Sequence, residues 1–527
     1  MMQILRFSVA VIAVLLTGCG GDKREVPQSG WEKLIAIRAE GQAYYSEIAL
    51  DEFNADAFGK PSHVQEISSR YQSLFTESNI RLLERIQDNF QPSPDETKIE
   101  FLRLYLIDGW LSRAVGQSSD SLQSLRLQAK VADGRDSVNY LDVPAVLATE
   151  TNRERRQRLF EGQLPTLQRE NTIHSKIRSV EDSLLFELGY GDVSSYLEEE
   201  HACDFYALSL VATKLIQDTD SLAHALFAEF APKLTGVQVS AFRGYDRAYL
   251  QRAQAYAKHF PAVAMTELFG QTMKGMGIAI DTMRNLKIDL EDRPNKCSRP
   301  ATYPIEVPFD IRVLVKPIGG QDDYASYYHE MGHALHFLYI TERDFEFVYL
   351  GNNTVTEVFA FLFEHLLDDP TYLQTSLDFS AIEVKDYLRF KAFVRLMYVR
   401  SYCGDFLFEQ ELYSSKGDAK ADYERIKQPL LGYPWSDVER EGYLNRADKF
   451  YSADYLRAWF LESQLREKLR ADFGRDYFKQ PATGEYLKKL WAYGNSNSPE
   501  ELAKLTGIGE ITPQALLREI NSMLSGR

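Results

Sequence analysis

From about residue 31 onward, apolar side chains recur every three to four positions along most of the chain. That spacing gathers them on one face of an α-helix. Segments 80–86 and 101–107 show it over two turns, and segments 385–413 and 453–473 sustain it at length. The expected fold class is therefore mainly α. One stretch breaks the rhythm: residues 305–316 are rich in β-branched side chains and lie between Pro304 and Pro317, which marks them as the best strand in the chain. Gly319-Gly320 then supplies a turn, Asp322 or Asp323 can cap a helix, and a helical pattern resumes at Tyr324. Loops bearing Pro or Gly are expected near 133–135, 293–304, 428–435 and 494–499.

The N-terminus has a different pattern. Arg6 precedes an apolar run over residues 7–16, too short to span a bilayer, and Leu16-Thr17-Gly18-Cys19 resembles the lipobox of bacterial lipoproteins. The resemblance implies a signal peptide over 1–18, cleavage before Cys19 and lipid on its thiol. Residues 19–30 then read as a polar tether. Acyl chains would hold the protein on a membrane surface outside the cytoplasm, on the periplasmic side of the cell envelope. Gly20 in place of an aspartate favours the outer membrane.

Length changes the picture next: 527 residues exceed what one core serves, so two lobes are expected, divided as 31–200 and 201–527. A net charge of −16 argues against a nucleic-acid partner. With Cys19 lipidated, Cys203, Cys297 and Cys403 allow at most one disulfide and show no metal-ligand spacing; they read as buried, inert thiols.

The chemistry is carried by His329-Glu330-Met331-Gly332-His333. On a helix, two histidines four apart are separated by about 400°, so both imidazoles leave one face, one turn apart. They can share a metal, with Glu330 about 100° round from His329 and beside the reacting water. Chance would produce the pattern in roughly 1% of such chains, so the flanks must supply the rest. A catalytic zinc site needs a third protein ligand and an open fourth position. Glu357, 24 residues beyond His333, lies on a predicted helix that is otherwise apolar. It also fits a capping box, Thr354-x-x-Glu357; the ligand reading is preferred because the histidine pair otherwise lacks a partner. Glu364, two turns further on, can orient a ligating histidine or simply end the helix in solvent. His336 lacks a fourth-ligand spacing and reads as structural. The strand before the motif, through Val313 and Val315, offers either an edge on which an extended peptide could pair or a plain hairpin strand.

His329 to His336, reading His-Glu-Met-Gly-His-Ala-Leu-His, followed by Glu357 and Glu364, resembles the thimet oligopeptidase/oligoendopeptidase F family of zinc peptidases, and more distantly the angiotensin-converting enzyme family. The segment from Tyr493 to Leu502 with Gly507 is similar to the closing segment of the oligoendopeptidase branch, and 185–196 is a weaker echo of its helical half. The resemblance implies a two-lobed helical fold around a deep channel, with a small sheet next to the zinc helix. It implies one zinc ion held by His329, His333 and Glu357, with Glu330 as general base in the hydrolysis of short peptides. Tyr451 and Tyr455 match the late helix whose hydroxyls stabilise the oxyanion, though core packing is an equal alternative in a chain with thirty tyrosines. The family's late histidine is absent, since no histidine follows His365, and Arg446 is the replacement considered. An endopeptidase leads. A carboxypeptidase or dipeptidyl carboxypeptidase would need a cation for the terminal carboxylate, from Arg446, Arg457 or Lys316. A zinc-containing lipoprotein scaffold without activity is the other alternative.

Overall fold

The computed structural model describes residues 27–89, 94–252, 254–414 and 417–526. Cys19, the signal segment and all but the end of the tether lie outside them. That end differs from expectation, because Gln28–Gly30 already belong to the first helix. Of the described residues 73% are in helix and 5% in strand, hence mainly α. None of its described helices is long and apolar enough to cross a membrane.

Helix α1 (Gln28–Phe58) buries Leu34, Ile37, Phe53 and Ala57, and stops at Gly59 in the left-handed conformation. Helix α2 (Pro94–Gln128) begins with a proline whose missing N–H costs nothing at that position, followed by Asp95 and Glu96 at the positive end of the helix dipole. Strands β1 (Lys130–Asp133) and β2 (Asp136–Asn139) form a hairpin around Gly134, at φ 67°. Helices α3 (Leu164–Leu188) and α4 (Phe205–Thr235) are the longest that follow before the sheet, among several shorter ones. One apolar cluster runs from Leu34 to Met523, so the core is continuous across residue 200.

The strand expected over 305–316 is two strands. β4 (Ala301–Glu306) turns at Pro308 and returns antiparallel as β5 (Asp310–Leu314), which also pairs in parallel with β3 (Leu286–Asp289). Pro308 has no N–H to continue a ladder, so the chain turns there. The sheet order is β3-β5-β4, which leaves β5 in the centre. Val313 is buried in that central strand, and the Val315 amide bonds to Asp289. Neither presents a free edge, which corrects their assignment as substrate-binding residues.

Helix α5 (Gln321–Tyr339) carries the histidine pair and packs on α6 (Asn353–Glu364), which in turn packs on α8 (Tyr451–Phe473). Helix α7 (Ala381–Ser414) runs beside them. Asp323 does not cap α5; its carboxylate accepts the amides of Ile318 and Gly319 and shapes the turn before it. Gly332 is what lets α5 and α6 approach. A Cβ added there would lie 2.5 Å from the Ala360 Cα and 2.6 Å from the Phe359 carbonyl oxygen, both backbone atoms. Gly332→Ala is therefore expected to cost at least about 1–3 kcal/mol, read as a lowered denaturation midpoint, because the backbones must separate.

The start of α8 is held by polar contacts. Lys449 and Phe450 both have positive φ, a conformation unfavourable for side-chain-bearing residues. Buried Glu409 holds this turn, accepting the amides of Asp448 (2.7 Å) and Phe450 (2.9 Å) and the Ser452 hydroxyl. His201 places Nε2 2.7 Å from the Lys449 carbonyl and Nδ1 3.0 Å from Asp454, whose other oxygen accepts the Thr354 hydroxyl from α6. Burial pulls the imidazole's pKa down, but the Asp454 carboxylate outweighs it and raises it from 6.5 to about 9. A raised folded pKa means stabilisation present in full below the unfolded value and lost as pH climbs through the folded one. Between pH 6.5 and 9 the protein is expected to lose stability, and His201→Gln to flatten that slope in melts recorded against pH.

Candidate metal centre and cleft

Because four residues make slightly more than one helical turn, His329 and His333 project from the same side of α5, with ring centroids 4.9 Å apart. Glu357 meets them from α6. Its Oε2 lies 3.3 Å from His329 Nε2, and its Oε1 lies 3.7 Å from His333 Nε2. One donor atom from each of the three residues falls within 4.8 Å of the others, so the three residues form a possible metal-binding triad. The capping alternative for Glu357 is not what forms. Asn352 caps α6 through the Thr354 amide, and the Thr354 hydroxyl turns to Asp454.

The remaining ring nitrogens are already engaged. His329 Nδ1 lies 2.9 Å from Glu364, and His333 Nδ1 lies 2.7 Å from the Thr356 hydroxyl. Partners at Nδ1 fix the ring orientations and turn both Nε2 atoms towards Glu357. Glu357 Oε2 is buried without an aligned hydrogen-bond donor. Two inward imidazole nitrogens and an unsatisfied carboxylate oxygen are the donor set that suits zinc. Burial pushes His333 down to about 4, so it is neutral near pH 7. Burial opposes protonation of His329 as well, but the Glu357 and Glu364 carboxylates outweigh it and hold the ring well above its ordinary value. Glu364→Gln and Thr356→Val are each expected to weaken metal binding by about 10–100-fold, measured by competition with a chelating dye.

Glu330 is buried beside the triad, with the Thr302 hydroxyl of β4 2.8 Å from both its Oε2 and its backbone carbonyl. Burial raises its pKa above the usual carboxylate value. Tyr451, the first residue of α8, donates a 2.5 Å hydrogen bond to Glu357 Oε1. Tyr455, one turn on, stacks against Tyr402 (5.0 Å, 18°) and lines the same cleft. Its hydroxyl has no hydrogen-bond partner among the described residues.

The cleft, about 740 Å³, is lined by His329, Glu330, His333 and Glu357, by Pro300 to Thr302 at the free edge of β4, and by Tyr398 and Tyr402 of α7. Tyr45 and Ala148 also line it, so both halves of the chain contribute. Arg446, expected as a substrate-binding residue, is not among the residues that line it: it is exposed on the short turn Leu444–Arg446, near Tyr402 and Asp405. Arg457 is buried on the carbonyl of His201 and on Glu500, and Lys316 lies 3.8 Å from Asp292. None of the three cations considered for a terminal carboxylate lines the cleft. His336 is fully buried, facing the Gly494 carbonyl, and burial pushes it down to about 3. Cys203, Cys297 and Cys403 are all free thiols, and burial pushes Cys403 up to about 12.

Sequence reasoning passed over Thr302 and Thr356. Thr356 carries a signal only in standing next to Glu357. Thr302 carries none until β4 is recognised as a strand; Pro304 within it is the missed clue, since proline inside a strand marks an edge. No protein-family model and no curated protein matches the chain.

Proposed function

We propose that this chain is a zinc-dependent peptidase of the thimet oligopeptidase/oligoendopeptidase F kind, hydrolysing peptide bonds in short oligopeptides. The observation that carries the reading is the convergence of two Nε2 atoms and a buried carboxylate within 4.8 Å, with Glu330 beside them in one cleft. A zinc ion held by His329, His333 and Glu357 would polarise the substrate carbonyl and lower the pKa of water towards ~7.

The chain's own groups supply the remaining work. Glu330, desolvated and steadied by Thr302, accepts the proton of the attacking water and passes it to the departing amine. Tyr455 has the uncommitted hydroxyl and is the donor for the developing oxyanion. Tyr451 is bonded to Glu357, so its first task is to orient that carboxylate. The free edge of β4 offers main-chain groups to an extended peptide, independent of its sequence.

Two lobes, 31–200 and 201–527, flank a channel. Lipid on Cys19 holds the protein to the membrane, with its body outside the cytoplasm on the periplasmic side. Digestion of a mixed peptide library, read by mass spectrometry with and without a chelator, tests the activity. Cleavage of short peptides that a chelator abolishes and zinc restores is expected; an intact library in the presence of bound zinc would overturn it.

A further inference from the structure

Three cations line the cleft: Arg252, Lys391 and Arg299. The first two are in use. Arg252 is nearly buried, bonds to the Gly319 carbonyl and lies 3.6 Å from Asp322. Lys391 is buried, 3.2 Å from Gln321 Oε1 and 3.5 Å from Asp368. Arg299 is exposed, and its guanidinium has no carboxylate within ion-pairing distance and no hydrogen-bond acceptor among the described residues. Its charge reaches Glu52 and Glu330 only across gaps longer than an ion pair.

Its place in the fold gives this freedom a direction. Arg299 stands immediately before Pro300 and the β4 edge, three residues from Thr302, which touches Glu330. At about 3.3 Å per extended residue, that is roughly 10 Å along the wall, the span of about three residues of a peptide lying beside β4. A guanidinium presents donors in a planar fork that matches a carboxylate in two parallel hydrogen bonds. Elsewhere the cleft repels such a group: Asp322, Glu330 and Glu364 line it, and the chain carries a net charge of −16. A carboxylate on the substrate therefore has one favourable place to go, and that place fixes which bond lies over the triad.

We infer that Arg299 is the specificity determinant of the cleft, binding a substrate carboxylate within about three residues of the scissile bond. The inference rests on the peptidase reading and adds the class of substrate to it. The carboxylate is either the peptide's own C-terminus or an Asp or Glu side chain; the chemistry of recognition is the same.

The test uses matched peptides: one pair with a free or amidated C-terminus, and others with Glu or Gln at each position near the cleaved bond. For the intact protein, kcat/KM for the carboxylate member is expected to exceed that for its amide by about 10–100-fold, with the difference in KM. Arg299→Gln should collapse this ratio towards one, and Arg299→Lys, which keeps the charge without the fork, should restore part of it. A ratio tied to amidation alone identifies the C-terminus, and a ratio tied to Glu against Gln identifies the side chain. Calorimetric binding of the same pairs to the Glu330→Gln protein reads the discrimination without turnover. If no peptide is cleaved but carboxylates still bind better through Arg299, the peptidase reading fails and the recognition stands. A ratio near one in the unaltered protein, or one that survives Arg299→Gln in both assays, overturns the inference.

Discussion

Glu330→Gln is expected to lower kcat/KM for peptide hydrolysis by about 100- to 10,000-fold, the range for removing a general base, while metal content stays at one ion per chain. Glutamine keeps the volume of the side chain, and its amide can still meet the Thr302 hydroxyl, so the wall of the cleft is preserved. Proton acceptance is what disappears. Glu330 is not one of the triad, so the ligand set is untouched. Parallel measurement of steady-state rates and metal content checks both halves. Undiminished hydrolysis would remove Glu330 from the mechanism.

Glu357→Ala should have the larger effect on metal. Two imidazoles remain, and one carboxylate ligand is replaced by an apolar void against which Tyr451 loses its acceptor. The loss in affinity should exceed the 10–100-fold that removal of a merely orienting partner costs. Titration of metal-depleted protein with zinc measures it, and the His333→Ala protein should behave alike. Circular dichroism of both variants separates loss of a ligand from loss of fold. Metal binding at full strength in Glu357→Ala would mean that another group completes the site.

The order in which these residues could be read from the sequence follows the range of the interactions involved. His329 and His333 were legible because four-residue spacing on a helix fixes their relation locally. Glu357 was legible as an acidic side chain on an apolar helix, and Glu364 as its neighbour two turns on. The pattern over 385–413 outlines helix α7, which runs from Ala381 to Ser414, and that over 453–473 outlines α8, which runs from Tyr451 to Phe473. Their apolar periodicity spans many turns, which leaves only the ends to be found. The contacts that complete the centre were not legible. Thr356 and Thr302 reach ring and carboxylate atoms 23 and 28 residues away in sequence, and nothing local announces such a meeting. The strand differs from expectation for a local reason: by composition Pro304 reads as a boundary, but it lies inside the edge strand, so the free edge belongs to β4 and not to the buried Val313 and Val315. Arg299 lies, as expected, in the loop over 293–304, and only the course of β4 beside it shows that this loop residue reaches the cleft.

The most direct test of the account is an anomalous difference map at the zinc absorption edge, from crystals of the metal-loaded protein. One strong peak is expected, about 2.0–2.2 Å from His329 Nε2, His333 Nε2 and a Glu357 carboxylate oxygen. A map without density between those three side chains, or with its peak on a different set of ligands, would contradict it.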